Sequence, residues 1–294
     1  RLAQILAPRD LSKQQAGQGK YVPLCDHQGV LINDPICLKL ADDLYWLSIA
    51  DSNIWFWAGA IAAERGLRVE VSEPDVSPMA IQGPKAEDVV AHVCGEWVRA
   101  IKYFWFRETQ IDGIPVVVQR SGWSKQGGFE VYLRDGSQGT RLWNIFKEAG
   151  QPYGIGPGGP NWCERVESGL VSYGGDTDRS TNPYEVRMGK YVDLGVPDDT
   201  VGIQALRRIA EEGPRRHTLG IVLDAGEPVK PGFLWNPIFA GGRKVGDLTN
   251  CIFSYRLKKN IGFALVERGC AVGDRKSTRL NSSHVSESRM PSSA

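Results

Sequence analysis

RSGWSKQGGFEVYL, residues 120–133, places a glycine-rich turn directly before an alternating strand. Successive strand side chains point to opposite faces, so Phe129, Val131 and Leu133 line one face and Glu130 and Tyr132 the other. The apolar trio predicts a buried face and leaves Glu130 and Tyr132 pointing together, away from that core. Gly127 and Gly128 lack a Cβ, which would let the backbone approach a flat ligand ring. Outward from this stretch, strands and helices alternate. KYFWFRETQIDGIPVVVQRSG (102–122) reads as a hairpin turning at Asp112 and Gly113. PKAEDVVAHVCG (84–95) reads as a helix with Pro84 in its first position, and GSQGTRLWNIFKEAG (136–150) as a helix capped by Gly150. RVEVSEPD (68–75) and SPMAIQG (77–83) read as strands, and residues 53–66 as a helix capped by Asp51 or Ser52. This order predicts an α+β ferredoxin-like unit over residues 53–149.

The flanking regions have a different rhythm. Residues 1–20 read as a short amphipathic helix and a polar connection, and residues 21–50 as three short strands turning at DHQG and ADD. NWCERVESGLVSYG (161–174) carries apolar and small residues at helical spacing, and GDTDRSTNPYEV (175–186) is loop. From Lys190 the pattern turns to short strands, an antiparallel β domain over residues 190–274. Residues 1–52 and 150–189 are expected to form one further domain. From about Lys276 the chain is serine-rich and aperiodic, so residues 275–294 are expected to be a non-native, disordered tail that cannot bury a core. Arg1 in place of methionine leads us to expect a chain cut from a longer one.

Composition removes several classes of function. Of 294 residues 41% are hydrophobic and 23% charged, and the net charge of +1 gives no basic surplus for nucleic acid. No apolar run reaches the ~20 residues of a membrane span. WLSIADSNIWFWAGAIAA (46–63) is interrupted by Asp51, Ser52 and Asn53 and reads as core. The six cysteines form no CxxC pair and His27, His92 and His217 stand apart, so no metal site is expected and reduced thiols favour the cytoplasm. GIGPGG (154–159) matches the letters of a dinucleotide fingerprint, but it follows a helix and Pro157 removes an amide, so it reads as a connector.

Several ordered blocks carry a resemblance: YVPLCDHQGVLINDP (21–35), SEPDVSPMAIQGPKAEDV (72–89), RSGWSKQGG (120–128), GPNWCERVESGLVSYGGD (159–176) and NPYEVRMGKYV (182–192). Together they resemble the aminomethyltransferase family, the glycine-cleavage T-proteins and their folate-dependent relatives, from about Leu2 to Val272. Within it they are most similar to the branch that demethylates a sulfonium. The resemblance implies a three-domain fold around a central folate channel, with the start of the first domain and the last strand of the third missing here. It implies tetrahydrofolate as methyl acceptor, no metal, and a small-molecule methyl donor as partner. Glu130, which can accept two parallel hydrogen bonds from a pterin, Tyr132 and Arg165 would bind the folate. Asp34 would be catalytic, and Tyr21 and Trp123 would line the donor's cavity. Trp123 stands where T-proteins carry tyrosine, and an indole face attracts an onium cation. Read alone, an Asp before Pro35 is also a turn former, Arg165 beside Glu164 also suits a surface ion pair, and Trp123 also suits a core. A T-protein proper, an O- or N-demethylase and a non-catalytic folate-binding relative remain alternatives. The first lacks support in SKQGG, where T-proteins carry TGEDG, and the last in the absence of a KGCYxGQE-type motif.

Overall fold

The computed structural model describes residues 1–49, 53–159, 162–270, 278–280 and 283–287, so the cap expected at Asp51 or Ser52 lies outside the described residues. The first unit opens with α1 (Leu2–Leu6) and strands β1 (Gln18–Tyr21), β2 (Leu24–Cys25), β3 (Leu31–Asn33), β4 (Ile36–Lys39) and β5 (Tyr45–Ser48). The three strands expected in this region are therefore five. Pro23 and Pro35 supply no amide to a ladder and break the run at β1–β2 and β3–β4. β1, β4 and β5 form an antiparallel sheet, and β2 and β3 a separate hairpin. The next element, α2 (Ile54–Glu64), buries Ile54, Ala58 and Ile61 against Ile5, Leu6, Val22, Leu24 and Cys37. It belongs to this core, and the boundary read at residue 53 moves downstream. RVEVSEPD is not a strand: Leu67 and Val71 rest on the same core, while the segment has no neighbouring strand to pair with.

The second unit is the alternating region. It contains β6 (Ser77–Gln82), α3 (Ala86–Cys94), β7 (Phe106–Ile111), β8 (Ile114–Gln119), β9 (Gly128–Leu133) and α4 (Gly139–Ala149). The sheet order is β6-β9-β8-β7, antiparallel throughout. Asp112 and Gly113 both take positive φ, as a two-residue hairpin turn requires. Phe129, Val131 and Leu133 enter the core under α3 and α4, with Val90, Leu142 and Phe146. The alternation reading is right about that face and about Glu130 and Tyr132 pointing together, but not about what lies opposite them. Tyr132 and Val117 pack with Leu38 and Phe106, and Ile36 and Trp46 of the first unit close over them. Tyr132 therefore faces a second apolar layer between two sheets, while Glu130 on the same face stays half-buried beside Ser121.

A main-chain seam joins those sheets. Gly19 N–H donates to the Phe104 carbonyl at 2.6 Å and Phe106 N–H to the Gly17 carbonyl at 2.8 Å. A Cβ on Gly19 would lie 2.5 Å from Gln119 Nε2 and 2.8 Å from the Phe104 oxygen, so only glycine permits this approach.

Beyond it, α5 (Trp162–Glu167) is far shorter than expected, because Gly169 at positive φ turns the chain. A helix missed in the sequence, α6 (Ile203–Glu212), buries Ile203, Ala205 and Leu206, and Gly29 of the first unit faces its Ala205, Leu206 and Ile209. Asp193 N–H donates to the Pro8 carbonyl and Val201 N–H to the Ile5 carbonyl. Residues 190–212 thus pack with the first unit, and the β domain begins later than Lys190. It comprises β10 (Arg216–Asp224), β11 (Gly232–Ala240), β12 (Arg243–Ser254), β13 (Lys259–Glu267), β14 (Thr278–Leu280) and β15 (Ser283–Glu287), in the order β11-β12-β13-β10-β15-β14. The last two strands correct the expectation of a structureless tail within 275–294. β10 offers a free edge, and β15 joins it by main-chain pairing that needs no apolar side chains. Residues 275–277, 281–282 and 288–294 of that tail lie outside the described residues. Among the described residues no helix is long and apolar enough to cross a membrane.

Candidate active site

The first cluster forms where β3 ends. Asn33 Oδ1 accepts the Asp34 N–H at 2.7 Å, and Pro35 fixes the exit, so the Asp34 carboxylate projects beside β1. Tyr21 ends β1 opposite Ile36 of β4, and its hydroxyl donates to Asp34 Oδ2 at 2.5 Å. The Tyr21 ring meets Tyr191 edge to face, with centroids 4.9 Å apart. Burial pushes the Asp34 carboxyl up to about 6, against the opposing pull of Tyr21 and its own backbone N–H. Burial first, and then Asp34, raise the Tyr21 and Tyr173 phenols. Asp34 is therefore an anion set among tyrosine rings.

Glu130 anchors the second cluster. Its Oε2 accepts from the Ser121 hydroxyl and lies 3.5 Å from the Tyr132 hydroxyl, while burial holds its carboxyl above the ordinary value. Among the described residues no hydrogen-bond donor reaches Oε1. Tyr132 is only 2% exposed, and its hydroxyl lies 3.0 Å from Gln119 Oε1 and 3.2 Å from Ser48 Oγ. Expected at the cofactor, it instead braces Glu130 from behind. Tyr103 is 58% exposed, and its phenol is raised by burial, by Glu130 and by Tyr191. The Glu130 and Asp34 clusters are thus electrostatic neighbours through Tyr103, Tyr191 and Tyr21.

Sequence reasoning missed Tyr103, Tyr173 and Tyr191. The signal available was a polar-tipped aromatic in each of KYFWF, SGLVSYG and MGKYV.

Trp123 and Arg165 meet in a third cluster. The Arg165 guanidinium is 0% exposed and lies 5.3 Å from the Trp123 ring, 4.9 Å from Trp162 and 5.4 Å from Phe233. Its Nη1 donates to Asp176 Oδ2 at 2.7 Å and to the Leu170 carbonyl at 3.0 Å. A surface ion pair is excluded, since both partners are fully buried, while Nε and Nη2 of the guanidinium find no hydrogen-bond acceptor among the described residues. Trp123 is 39% exposed, with a guanidinium already beside its ring. The glycine expectation also changes. A Cβ on Gly128 would lie 2.3 Å from the Ile81 carbonyl oxygen, so the β6 backbone, rather than a ligand, requires glycine there.

Two family models match in sequence: the GCVT N-terminal domain over residues 1–195 and the glycine cleavage T-protein C-terminal barrel domain over residues 216–285. The chain belongs to the glycine-cleavage T-protein family. It is 43% identical over 268 residues to the dimethylsulfoniopropionate demethylase DmdA of Ruegeria pomeroyi, covering 91% of this chain and 72% of that protein. It is 31% identical over 270 residues to an aminomethyltransferase of Caldanaerobacter subterraneus subsp. tengcongensis, covering 90% and 71%. The crystal structure of the glycine cleavage system aminomethyltransferase T from Bartonella henselae superposes with a TM-score of 0.80 at 20% identity, over 99% of this chain and 80% of that one. The α+β layering and the C-terminal antiparallel sheet are those of this T-protein fold.

As a T-protein family member the chain is a tetrahydrofolate-dependent one-carbon transferase. The Glu130 cluster fits that ligand. One carboxylate oxygen is held by Ser121 and the other has no donor among the described residues, which suits the adjacent N–H groups of a pterin. No group of metal-ligating side chains exists among the described residues. Glu130→Ala is expected to weaken tetrahydrofolate binding by about 1.5–3 kcal/mol, the scale of a hydrogen bond to a charged group. Calorimetry checks this, and unchanged affinity in a folded variant would exclude Glu130 from the pterin site.

Proposed function

We propose that this T-protein family member transfers a methyl group from the sulfonium of dimethylsulfoniopropionate to N5 of tetrahydrofolate. The observation that carries the reading is the Asp34 carboxylate held by the Tyr21 hydroxyl, with Tyr191 against the Tyr21 ring and Tyr173 within its field, because an anion with aromatic rings nearby suits a methylated onium. The 43% identity to a dimethylsulfoniopropionate demethylase supports it. Bound tetrahydrofolate supplies a secondary amine as methyl acceptor.

The protein's part is largely placement. A sulfonium already carries a good leaving group, the neutral thioether, which departs with the S–C electron pair as the N5 lone pair takes the methyl and N5 then releases its proton to solvent, so no covalent nucleophile is needed. Asp34 holds the onium on one side, Glu130 orients the pterin on the other, and Tyr132 and Ser121 keep Glu130 aimed. Alignment of this kind is worth up to roughly 7–11 kcal/mol of barrier. Asp34 also stays beside positive charge as it moves from sulfur toward nitrogen. Trp123 remains our proposed wall of the donor site through the part of its ring left exposed. Cys25, Cys37, Cys94, Cys163 and Cys251 carry free thiols, which suits a cytoplasmic enzyme.

A donor panel tests the reading, with 5-methyltetrahydrofolate as the product measured. Transfer from dimethylsulfoniopropionate, with none from sarcosine, dimethylglycine or aryl methyl ethers, is the expected outcome. Turnover of one of those without the sulfonium would defeat the demethylase reading. So would 5,10-methylenetetrahydrofolate formed only from an aminomethyl-lipoyl donor.

A further inference from the structure

Arg9 is a cation for which the chemistry above has no use. Its Nη1 donates to the Tyr21 carbonyl at 2.6 Å, and its guanidinium lies 5.2 Å from the centre of the Tyr191 ring. Among the described residues no carboxylate comes within ion-pairing distance of it. Burial lowers its pKa, and only Tyr191 acts against that. Two more cations stand close by. Lys190 Nζ lies 5.0 Å from the same ring, and Lys20, whose Nζ donates to the Asp10 carbonyl, feels the Arg9 charge. Asp10 and Asp193 act on Lys20, leaving Arg9 without an anion.

Tyr21 connects this positive side to the negative one. Its carbonyl accepts from Arg9 while its hydroxyl donates to Asp34. Arg9 and Asp34 thus stand at opposite ends of one tyrosine, with Tyr191 against both Arg9 and Tyr21. A guanidinium presents five donors in a planar fork matched to a carboxylate, and one hydrogen bond leaves most of them unused. A partly desolvated guanidinium gains most from an anion that restores what water supplied.

We infer that Arg9 receives a substrate carboxylate, so that Arg9 and Asp34 together form a dipolar seat for a zwitterion. This rests on the reading of the donor as an onium, and it adds that the donor must carry an acid group at its far end. The same chemistry could be met by the glutamate of the folate tail, so the experiment separates the two sources.

Wild-type protein, Arg9→Met and Arg9→Lys are assayed with dimethylsulfoniopropionate and with trimethylsulfonium, which has no carboxylate. Arg9→Met is expected to raise KM for the carboxylate donor about tenfold or more with little change in kcat, and to narrow the preference over trimethylsulfonium by the same factor. Arg9→Lys, which keeps the charge without the fork, should recover part of that preference. Calorimetry with tetrahydrofolate and with tetrahydropteroate, which lacks the glutamate, forms the second arm. A loss confined to tetrahydrofolate places the carboxylate on the folate tail, keeping Arg9 as a carboxylate anchor but overturning the dipolar seat for the donor. Equal losses for carboxylate-bearing and carboxylate-free ligands, or no loss for any, overturn the inference. Wild-type protein that turns over no sulfonium defeats the donor reading alone, and the folate arm then decides Arg9.

Discussion

Asp34→Asn lowers kcat by more than about tenfold, leaves tetrahydrofolate affinity near the wild-type value, and makes the protein more stable at neutral pH. The three outcomes have one cause. Asparagine keeps an oxygen for the Tyr21 hydroxyl and a similar volume, so the β3 exit is undisturbed, but the charge is gone. In the wild type the Asp34 carboxyl sits at about 6, raised by burial from an ordinary value of 3.8. A carboxyl raised on folding binds its proton more tightly in the folded chain than in the unfolded one. Its contribution to stability is therefore greatest below pH 4 and falls as pH rises from about 4 to about 6, by up to about 3 kcal/mol. Activity runs the other way, because the anion is the working form, so kcat/KM should decline below about pH 6. The Asn variant should lose that acidic limb and melt higher near pH 7. Activity-versus-pH profiles and thermal melts check both arms. A variant with near-normal kcat, or one less stable at neutral pH, would reduce Asp34 to a turn residue.

Asp176→Ala is expected to cost about 3–5 kcal/mol of folding free energy, far more than any surface pair in this protein. Asp176 and Arg165 are both fully buried, and the carboxylate also accepts from Thr249, Asn250 and the Ser172 N–H. Removing it strands the guanidinium among Trp123, Trp162 and Phe233 with no counter-charge. It also unfastens the segment after α5 from β12. Replacing both partners, as Arg165→Met with Asp176→Leu, should recover much of the loss, since an apolar pair leaves no buried charge. Chemical denaturation measures both variants. A single-mutant loss under about 1 kcal/mol would show the pair to be solvated, contrary to its burial.

These clusters show what a sequence pattern can and cannot convey. The alternation of Phe129, Val131 and Leu133 fixed which side chains share a face, and the hairpin at Asp112 and Gly113 was legible because so few residues tolerate two positive φ angles. Period two says nothing about what covers the opposite face. Tyr132 was therefore expected at a ligand, when Leu38 and Trp46, far away in the chain, lie over it. The surface-pair alternative for Arg165 fails for a similar reason: its counter-ion is Asp176 in the following loop, while the neighbour visible in sequence was Glu164. Tyr21 and Asp34 were read separately, one as cavity lining and one as catalytic, and only the β1–β4 register makes them touch. Helix α6 announces itself weakly. Its flanking glycines, Gly202 and Gly213, were the available signal.

The seam at Gly19 and Phe104 has a bearing on rate. Asp34 is carried by the first unit and Glu130 by the second, so the span between them is set where main chain meets main chain, at contacts of 2.6 and 2.8 Å. Side chains tolerate small errors of placement by changing rotamer, whereas two backbones held by direct hydrogen bonds do not. The seam acts as a calliper whose jaws are the two carboxylates and whose setting screw is a residue with no side chain. Reacting atoms must come within about 3–3.5 Å of each other, a tolerance that slack in such an instrument would exceed. Selection for speed in this enzyme would then fall on Gly19 as heavily as on any group that touches the substrate.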